Sequence, residues 1–218
     1  MEYLYKSVYK RARTELVVEK SKFIATVTSC NTREEAEAFF AEIRKEFKDA
    51  THNVPAFIIG NKMEVKWASD DGEPQGTSGP PILRFLEMNE ITNVAIMVTR
   101  YFGGIKLGTG GLVRAYSSAA ELAVNEAGLG AGIMVTPFRI DLDYSDYNKF
   151  TAYKFPDRIK ETFKIIKTDF EDKVKLDLSC GTEIYDEIIG VLMEMTNGKI
   201  SPEKGEDYIE IVALTSAP

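Results

Sequence analysis

Residues 99–116 read TRYFGGIKLGTGGLVRAY, with five glycines and three cations, Arg100, Lys106 and Arg114, in eighteen positions. Phosphate recognition uses this combination: free N–H groups at the start of a helix receive an anion, and flexible glycines let it approach. The spacing excludes the two common nucleotide loops. A Walker A loop needs GxxxxGK followed by Ser or Thr, but Gly104 and Gly108 are too close and Thr109 stands where the lysine belongs. The dinucleotide fingerprint GxGxxG starts at Gly108 and Gly110 and fails at Val113. Two readings stay open. Gly103, Gly104, Gly108, Gly110 and Gly111 either bring an anion or a nucleic-acid backbone close, or only supply positive φ in a tight turn.

The same stretch is expected to open a helix near residue 111, which puts Arg114 in the first turn. There the helix macrodipole disfavours a cation by roughly 0.3–1 kcal/mol. Either a carboxylate from DDGEP or an external anion should offset that cost. Arg100 and Lys106 flank the turn, so the three cations are expected to converge. Tyr101 or Phe102, exposed beside them, would suit base stacking.

A second group of chemistry-bearing residues is DDGEPQGTSGPP, from Asp70 to Pro81. Asp70, Asp71 and Glu73 offer oxygen ligands for magnesium. Asp71-Gly72 and Glu73-Pro74 are equally ordinary turn dipeptides. Ion pairing of this loop with Arg100 or Arg114 is the reading carried forward, and neither metal nor cofactor is assigned. His52 is the only histidine. With Ser78 and Asp70 or Asp71 it could complete a hydrolase set, although GTSGP is not a GxSxG elbow after a strand. A hydrolase or small-molecule-binding enzyme using His52 and loop 70–73 is therefore an alternative, and a protein-interaction module with its own protein partner is another.

These residues need a scaffold, and hydrophobic periodicity supplies one. RTELVVEKSKFIATVTSC alternates as a strand or hairpin. NTREEAEAFFAEIRKEF shifts to helical spacing with Ala36, Phe39, Phe40, Ile43 and Phe47 on one stripe, and Thr32 with Glu35 forms a capping box. VPAFIIG and MEVKWAS read as paired strands, ILRFLEM as a short helix entered through Pro80 and Pro81, and NVAIMVTRYF as a buried strand. The helix at 111–127 buries Leu112, Tyr116, Ala119 and Ala123 and exposes Arg114, Ser118, Glu121 and Asn125. GLGAG at 128–132 is the linker candidate. Beyond it the order is strand, helix, two strands, helix, strand, which is the split βαββαβ arrangement. The expected architecture is α+β with two domains, 1–131 and 132–218.

Composition narrows the function classes. Hydrophobic residues make up 44% and charged residues 28% of 218 positions, as in ordinary globular chains. No apolar run approaches a membrane span, and the charged start lacks a signal-peptide core. Cys30 and Cys180 are far apart and in no CxxC pattern, which fits a reduced, cytoplasmic setting. The net charge of −7 argues against general nucleic-acid binding and requires a local basic patch. Residues 1–132 hold 16 Lys/Arg against 17 Asp/Glu and the remainder 11 against 17, so such a patch belongs in the first part.

Three motifs, ATHN, SDDGEPQGTSGPPIL and VTRYFGGIKLGTGGLVRAY, occur in this order and at spacings that resemble the YigZ/IMPACT family. The resemblance is strong over residues 15–127 and weaker beyond. It implies a first domain folded like domain IV of elongation factor G and a ferredoxin-like second domain. Eukaryotic members are translation regulators that restrain the amino-acid-starvation kinase pathway by competing for its activator. For bacterial members the implied role is RNA or ribosome binding. Together with the clustered cations and glycines, it makes a non-enzymatic cytoplasmic protein that binds RNA or the ribosome and modulates translation the leading expectation. The motif residues carried onto this chain are His52, Asp70, Asp71, Gly72, Glu73, Arg100, Tyr101, Gly103, Gly104, Lys106, Gly108, Gly110, Gly111 and Arg114. Three departures limit the transfer. HNVPAF differs from the family's usual cysteine- and aromatic-containing version, which removes support for contacts at Pro55 or Phe57. Ser78 replaces a common alanine, which argues against a serine nucleophile. The separate N-terminal domain with which eukaryotic members hold the activator is not expected here, so that partner is not transferred.

Overall fold

A computed structural model describes residues 3–214. The chain divides into two compact units, one of Met1–Gly132 together with residues from Ile211 onward, the other of Ile133–Glu210. The structure is α+β with two sheets.

The first unit begins with β1 (Tyr5–Val8), then β2 (Ala12–Val18), β3 (Ser21–Ser29), α1 (Arg33–Glu46), β4 (His52–Ile59) and β5 (Val65–Ala68). It continues with α2 (Gly79–Met88), β6 (Val94–Tyr101), α3 (Gly108–Ala127) and the start of β7 (Leu129–Leu142). Strands β2-β3-β6-β4-β5 form an antiparallel five-stranded sheet. The central strand β6 is buried on both faces, because side chains alternate across the pleat. Val94, Ile96 and Val98 meet Ile82 and Leu86 of α2 and the alanine-rich side of α3, whose small side chains let that helix lie close. Ala95 and Met97 face Phe39, Phe40 and Ile43 of α1 on the opposite side.

Local chemistry explains the ends of these elements. Thr32 accepts the Glu35 N–H at 3.2 Å and Glu35 reaches back to the Asn31 N–H at 2.7 Å, a reciprocal cap on α1. Arg11 and Arg13 of the first hairpin fork onto Glu42 and Glu46 of α1, with closest approaches of 2.6 Å. Two residues, Glu19 and Lys20, turn β2 into β3, and both have positive φ, +46° and +63°. Both positive values are what a type I′ turn demands, here from residues other than the favoured Asn-Gly.

The stretch 128–132, expected as a linker, is instead the cap of α3 and the beginning of β7. Tyr5–Val8 pairs with Leu129–Gly132. The N-terminal strand claims backbone groups that a linker would leave to solvent, and that long-range pairing has no local sequence signal. Gly132 is required there, since a Cβ would sit 2.4 Å from the Tyr5 ring.

The second unit contains the rest of β7, α4 (Tyr144–Ala152), α5 (Asp157–Lys160), β8 (Lys164–Phe170) and β9 (Val174–Gly181). It closes with α6 (Tyr185–Met195), β10 (Glu203–Lys204) and the first half of β11 (Tyr208–Ala213), whose second half belongs to the first unit. β9 lies between β7 and β8, and β11 pairs with β7, the split order that the sequence pattern predicts. Its core gathers Phe138, Ile140, Phe150, Leu176, Leu178, Ile188 and Leu192. Among the described residues no helix is long and apolar enough to cross a membrane.

Candidate functional site

The three cations of the glycine stretch do not converge. Arg100 continues the Val94, Ile96, Val98 row of β6 onto the helix-covered face and is only 5% exposed. Its Nη1 donates to Glu73 Oε1 at 2.7 Å and its Nη2 to Ser21 Oγ at 3.2 Å. The guanidinium lies between the Phe23 and Phe102 rings, 5.3 and 5.5 Å from their centroids. Removing this ion pair from water is costly, and the pair holds only because further hydrogen bonds complete it. Tyr116 of α3 supplies one, donating its hydroxyl to the same Oε1 at 2.7 Å. Burial first, and the adjacent Glu73 carboxylate second, push the Tyr116 phenol far above its ordinary range. Arg100 is expected either to contact an anion or to pair with the acidic loop, and it is the pairing with Glu73 that the structure shows, buried and neutralised.

The acidic loop divides its carboxylates among separate partners. Asp70 accepts N–H groups from Gly76, Ser78 and Gly79 at 2.7, 3.1 and 3.0 Å, and the Ser78 hydroxyl at 2.7 Å. Burial raises its pKa, but these four donors together outweigh burial and hold the carboxyl below its usual range. Asp71, at φ +46° beside Gly72 at φ +85°, accepts the Asn53 N–H at 2.7 Å. Glu73 serves Arg100. His52, the first residue of β4, stands opposite Arg100 in the sheet register. Its Nδ1 must be the protonated nitrogen, because it lies 2.7 Å from the Asp71 carbonyl oxygen, which only accepts. Its Nε2 then faces Glu73 Oε1 at 3.8 Å, beyond hydrogen-bond reach. The hydrolase set is therefore not assembled: Ser78 is fully buried and bonded to Asp70, and His52 is turned to a backbone carbonyl.

The glycine turn does two different jobs. Gly103 is packed so tightly against the β2–β3 turn that a Cβ would lie 2.0 Å from the Lys20 carbonyl carbon, and its N–H donates to Ser21 Oγ at 3.2 Å. Gly104 and Gly108 have φ of +87° and +70°. Gly111 leaves 3.0 Å between a built Cβ and Leu107, whereas Gly110 has nothing within 4 Å and no positive φ. Helix α3 begins at Gly108, three residues earlier than its periodicity predicts. Arg114 is consequently in the second turn, where the macrodipole penalty has fallen off. Tyr101 is tied by its hydroxyl to Asp49 at 2.9 Å, leaving Phe102, 47% exposed, as the free aromatic.

Lys106 and Arg114 remain. Both are exposed and, among the described residues, neither makes an ion pair. They line one recess of about 490 Å³ with Glu19, Leu16, Ile105 and Gly111. Lys106 also borders an adjoining recess of about 380 Å³, whose wall includes Glu73, Arg100, Phe102, Gly108 and Thr109. The cluster His52–Glu73–Arg100–Tyr116 was only partly visible in the motifs. Tyr116 counted as core packing alone, and Ser21 gave no signal.

Residues 19–124 match the Impact N-terminal domain. The IMPACT family member YvyE of Bacillus subtilis is 32% identical over 212 residues, spanning 96% of this chain and 95% of that protein. The IMPACT family member YigZ of Escherichia coli is 30% identical over 185 residues, 84% of this chain and 89% of the relative. A crystal structure described as that of a hypothetical protein superimposes with a TM-score of 0.59 at 26% identity, covering 100% of both chains. The matched domain contains every residue of the two recesses except Leu16 and Val18, and the relatives align over most of their length: this chain belongs to the IMPACT family.

Proposed function

We propose that this protein binds RNA or the ribosome in the cytoplasm and modulates translation, acting as a binding protein and not as a catalyst. One observation carries the reading. Lys106 and Arg114 are exposed, lack ion-pair partners among the described residues, and line a common recess beside the start of α3. In a chain of net charge −7, what suits phosphates is the placement of these two cations on one recess beside helical N–H groups. Translation regulation is the role that the family resemblance implies for eukaryotic members, and it agrees with a ligand of this kind.

The test is association with purified ribosomes and with structured RNA at two salt concentrations. Each phosphate contact contributes about 0.7–0.9 to the slope of log affinity against log salt. Lys106→Ala/Arg114→Ala should weaken binding and flatten that slope, while Arg33→Ala, on a distant helix, should leave both unchanged. Unaltered binding by the double variant would overturn the site.

A further inference from the structure

The recess between Glu73, Arg100, Phe102 and the start of α3 has features that a general phosphate contact does not require. Two donors, Arg100 Nη1 and the Tyr116 hydroxyl, converge on Glu73 Oε1. Among the described residues no donor reaches Oε2, yet this atom is not among the fully enclosed polar atoms without partners. Glu73 is thus a carboxylate fixed through one oxygen, with the other lacking a donor among the described residues, on a side chain 3% exposed that lines the recess. Arg100 is 5% exposed and lines the same recess, its Nε fully enclosed and so out of reach of a ligand there. Lys106, Gly108 and Thr109 bring a cation and the first N–H groups of a 20-residue helix to the opposite wall. Phe102 adds an exposed ring.

A ligand that satisfies all of these carries an anion, a hydroxyl donor and a flat apolar face on one small frame. Helix N-termini and lysine select the anion. A carboxylate acceptor selects a hydroxyl, and the 2′-hydroxyl is the group that separates RNA from DNA. An aromatic ring selects a base. The volume, about 380 Å³, lies in the range of small-ligand sites, roughly 300–1,000 Å³. We infer that this recess binds a ribose phosphate unit with its base: phosphate at Lys106 and the start of α3, 2′-hydroxyl on Glu73, base on Phe102. The inference rests on the RNA reading above for its class of ligand. It adds a second subsite, with sugar discrimination, beside the one lined by Arg114. A free mononucleotide and the end of an RNA strand share this chemistry.

Calorimetric titration of the full chain separates the sources and tests the site. The probes are adenosine 5′-monophosphate, its 2′-deoxy counterpart, adenosine, inorganic phosphate, and a short oligoribonucleotide with or without a 5′-phosphate. Binding by the ribonucleotide with about tenfold loss for the deoxy form is expected, in line with one hydrogen bond to a charged group. Preference for the 5′-phosphorylated oligonucleotide over the mononucleotide assigns the site to strand ends, and the reverse assigns it to free nucleotide; both support the recess. Phe102→Ala should weaken binding about fivefold or more, the low end for loss of one base–aromatic stack. Thr109→Trp, a substitution at an exposed position, should fill the recess and abolish nucleotide binding. Equal affinity for ribo and deoxy forms, or indifference to Thr109→Trp, overturns the inference. A chain that binds ribosomes but no nucleotide overturns the recess alone. Ribosome binding that survives Lys106→Ala/Arg114→Ala overturns the broader reading instead.

Discussion

Arg100 and Glu73 lie 2.7 Å apart at the end of the central strand, both almost out of solvent, and each is completed by groups from other elements. Ser21 from β3 backs the arginine and Tyr116 from α3 backs the glutamate. The pair therefore links the loop 69–78, the central strand and the long helix at the point where the glycine turn begins. It explains why an acidic loop and a basic motif occur in one domain: each neutralises part of the other, and only Lys106 and Arg114 are left outward.

Breaking that pair from one side should be severe. Arg100→Ala or Glu73→Ala leaves a buried charge without its partner and is expected to cost about 3–5 kcal/mol. Arg100→Met combined with Glu73→Leu should cost less than the sum of the single changes, because no charge is stranded. Urea unfolding followed through Trp67, the only tryptophan and a residue of this unit, measures all three. Single variants as stable as the parent chain would show that the pair contributes nothing to folding.

Tyr116 gives the pair a pH signature. Its phenol is raised by burial and then by Glu73, so the folded form keeps a proton that the unfolded chain releases near pH 10. The unfolded state then binds fewer protons than the native state, and stability falls as pH rises past about 10, by up to about 1.4 kcal/mol per pH unit for this one group. Tyr116→Phe is expected to be less stable at neutral pH, since Glu73 loses a donor, and to show a shallower alkaline decline. An unchanged alkaline slope would assign that decline to other tyrosines.

Asp70 acts at the other end of the pH scale. Its carboxylate accepts three backbone N–H groups and the Ser78 hydroxyl, which fixes the entry to α2 without a sequence-adjacent cap. The folded pKa is lowered, so the stabilisation is complete above the unfolded value of about 4 and is lost as pH falls through the folded value. Asp70→Asn should reduce stability by about 1–2 kcal/mol at pH 7, moderated by partial exposure, and should weaken the acid dependence. Thermal unfolding at pH 7 and pH 3 compares the two; equal losses at both would exclude a charge contribution.

Much of this was readable in the residues, and the failures have specific causes. The alternation in NVAIMVTRYF already puts Arg100 in line with Val94, Ile96 and Val98, hence on the buried face and in need of an acid. Pairing with the acidic loop was open to Arg100 and Arg114 alike, and that period is what singles out Arg100. Helical spacing put Tyr116 on the packed side of α3, but its hydroxyl is a donor that must also be placed, and Glu73 is forty-three positions away. Pairing of β1 with β7 and the position of Ser21 depend on contacts between distant segments, which local patterns do not encode. The start of α3 was set too late because glycine weakens helical propensity, although packing of the helix on the sheet carries it back to Gly108.

Gly103 and Gly110 separate architecture from ligand contact within one motif. At Gly103 a methyl group would lie 2.0 Å from backbone carbon and 2.1 Å from backbone oxygen of Lys20, atoms that cannot swing aside. Gly103→Ala is therefore expected to destabilise the first unit by about 2 kcal/mol or more, displacing the β2–β3 turn and with it Glu19 at the Arg114 recess. At Gly110 the space is open and φ is not positive, so alanine should be accepted and should stabilise α3 by up to about 1 kcal/mol. A glycine that lowers stability, with no conformational or packing reason on its own chain, is one that a partner's backbone can approach. Urea unfolding and ribosome binding of Gly110→Ala decide the matter together. A gain in stability with a loss of binding makes Gly110 an approach point for RNA. A gain with unchanged binding confines the contact to the side chains of Lys106 and Arg114.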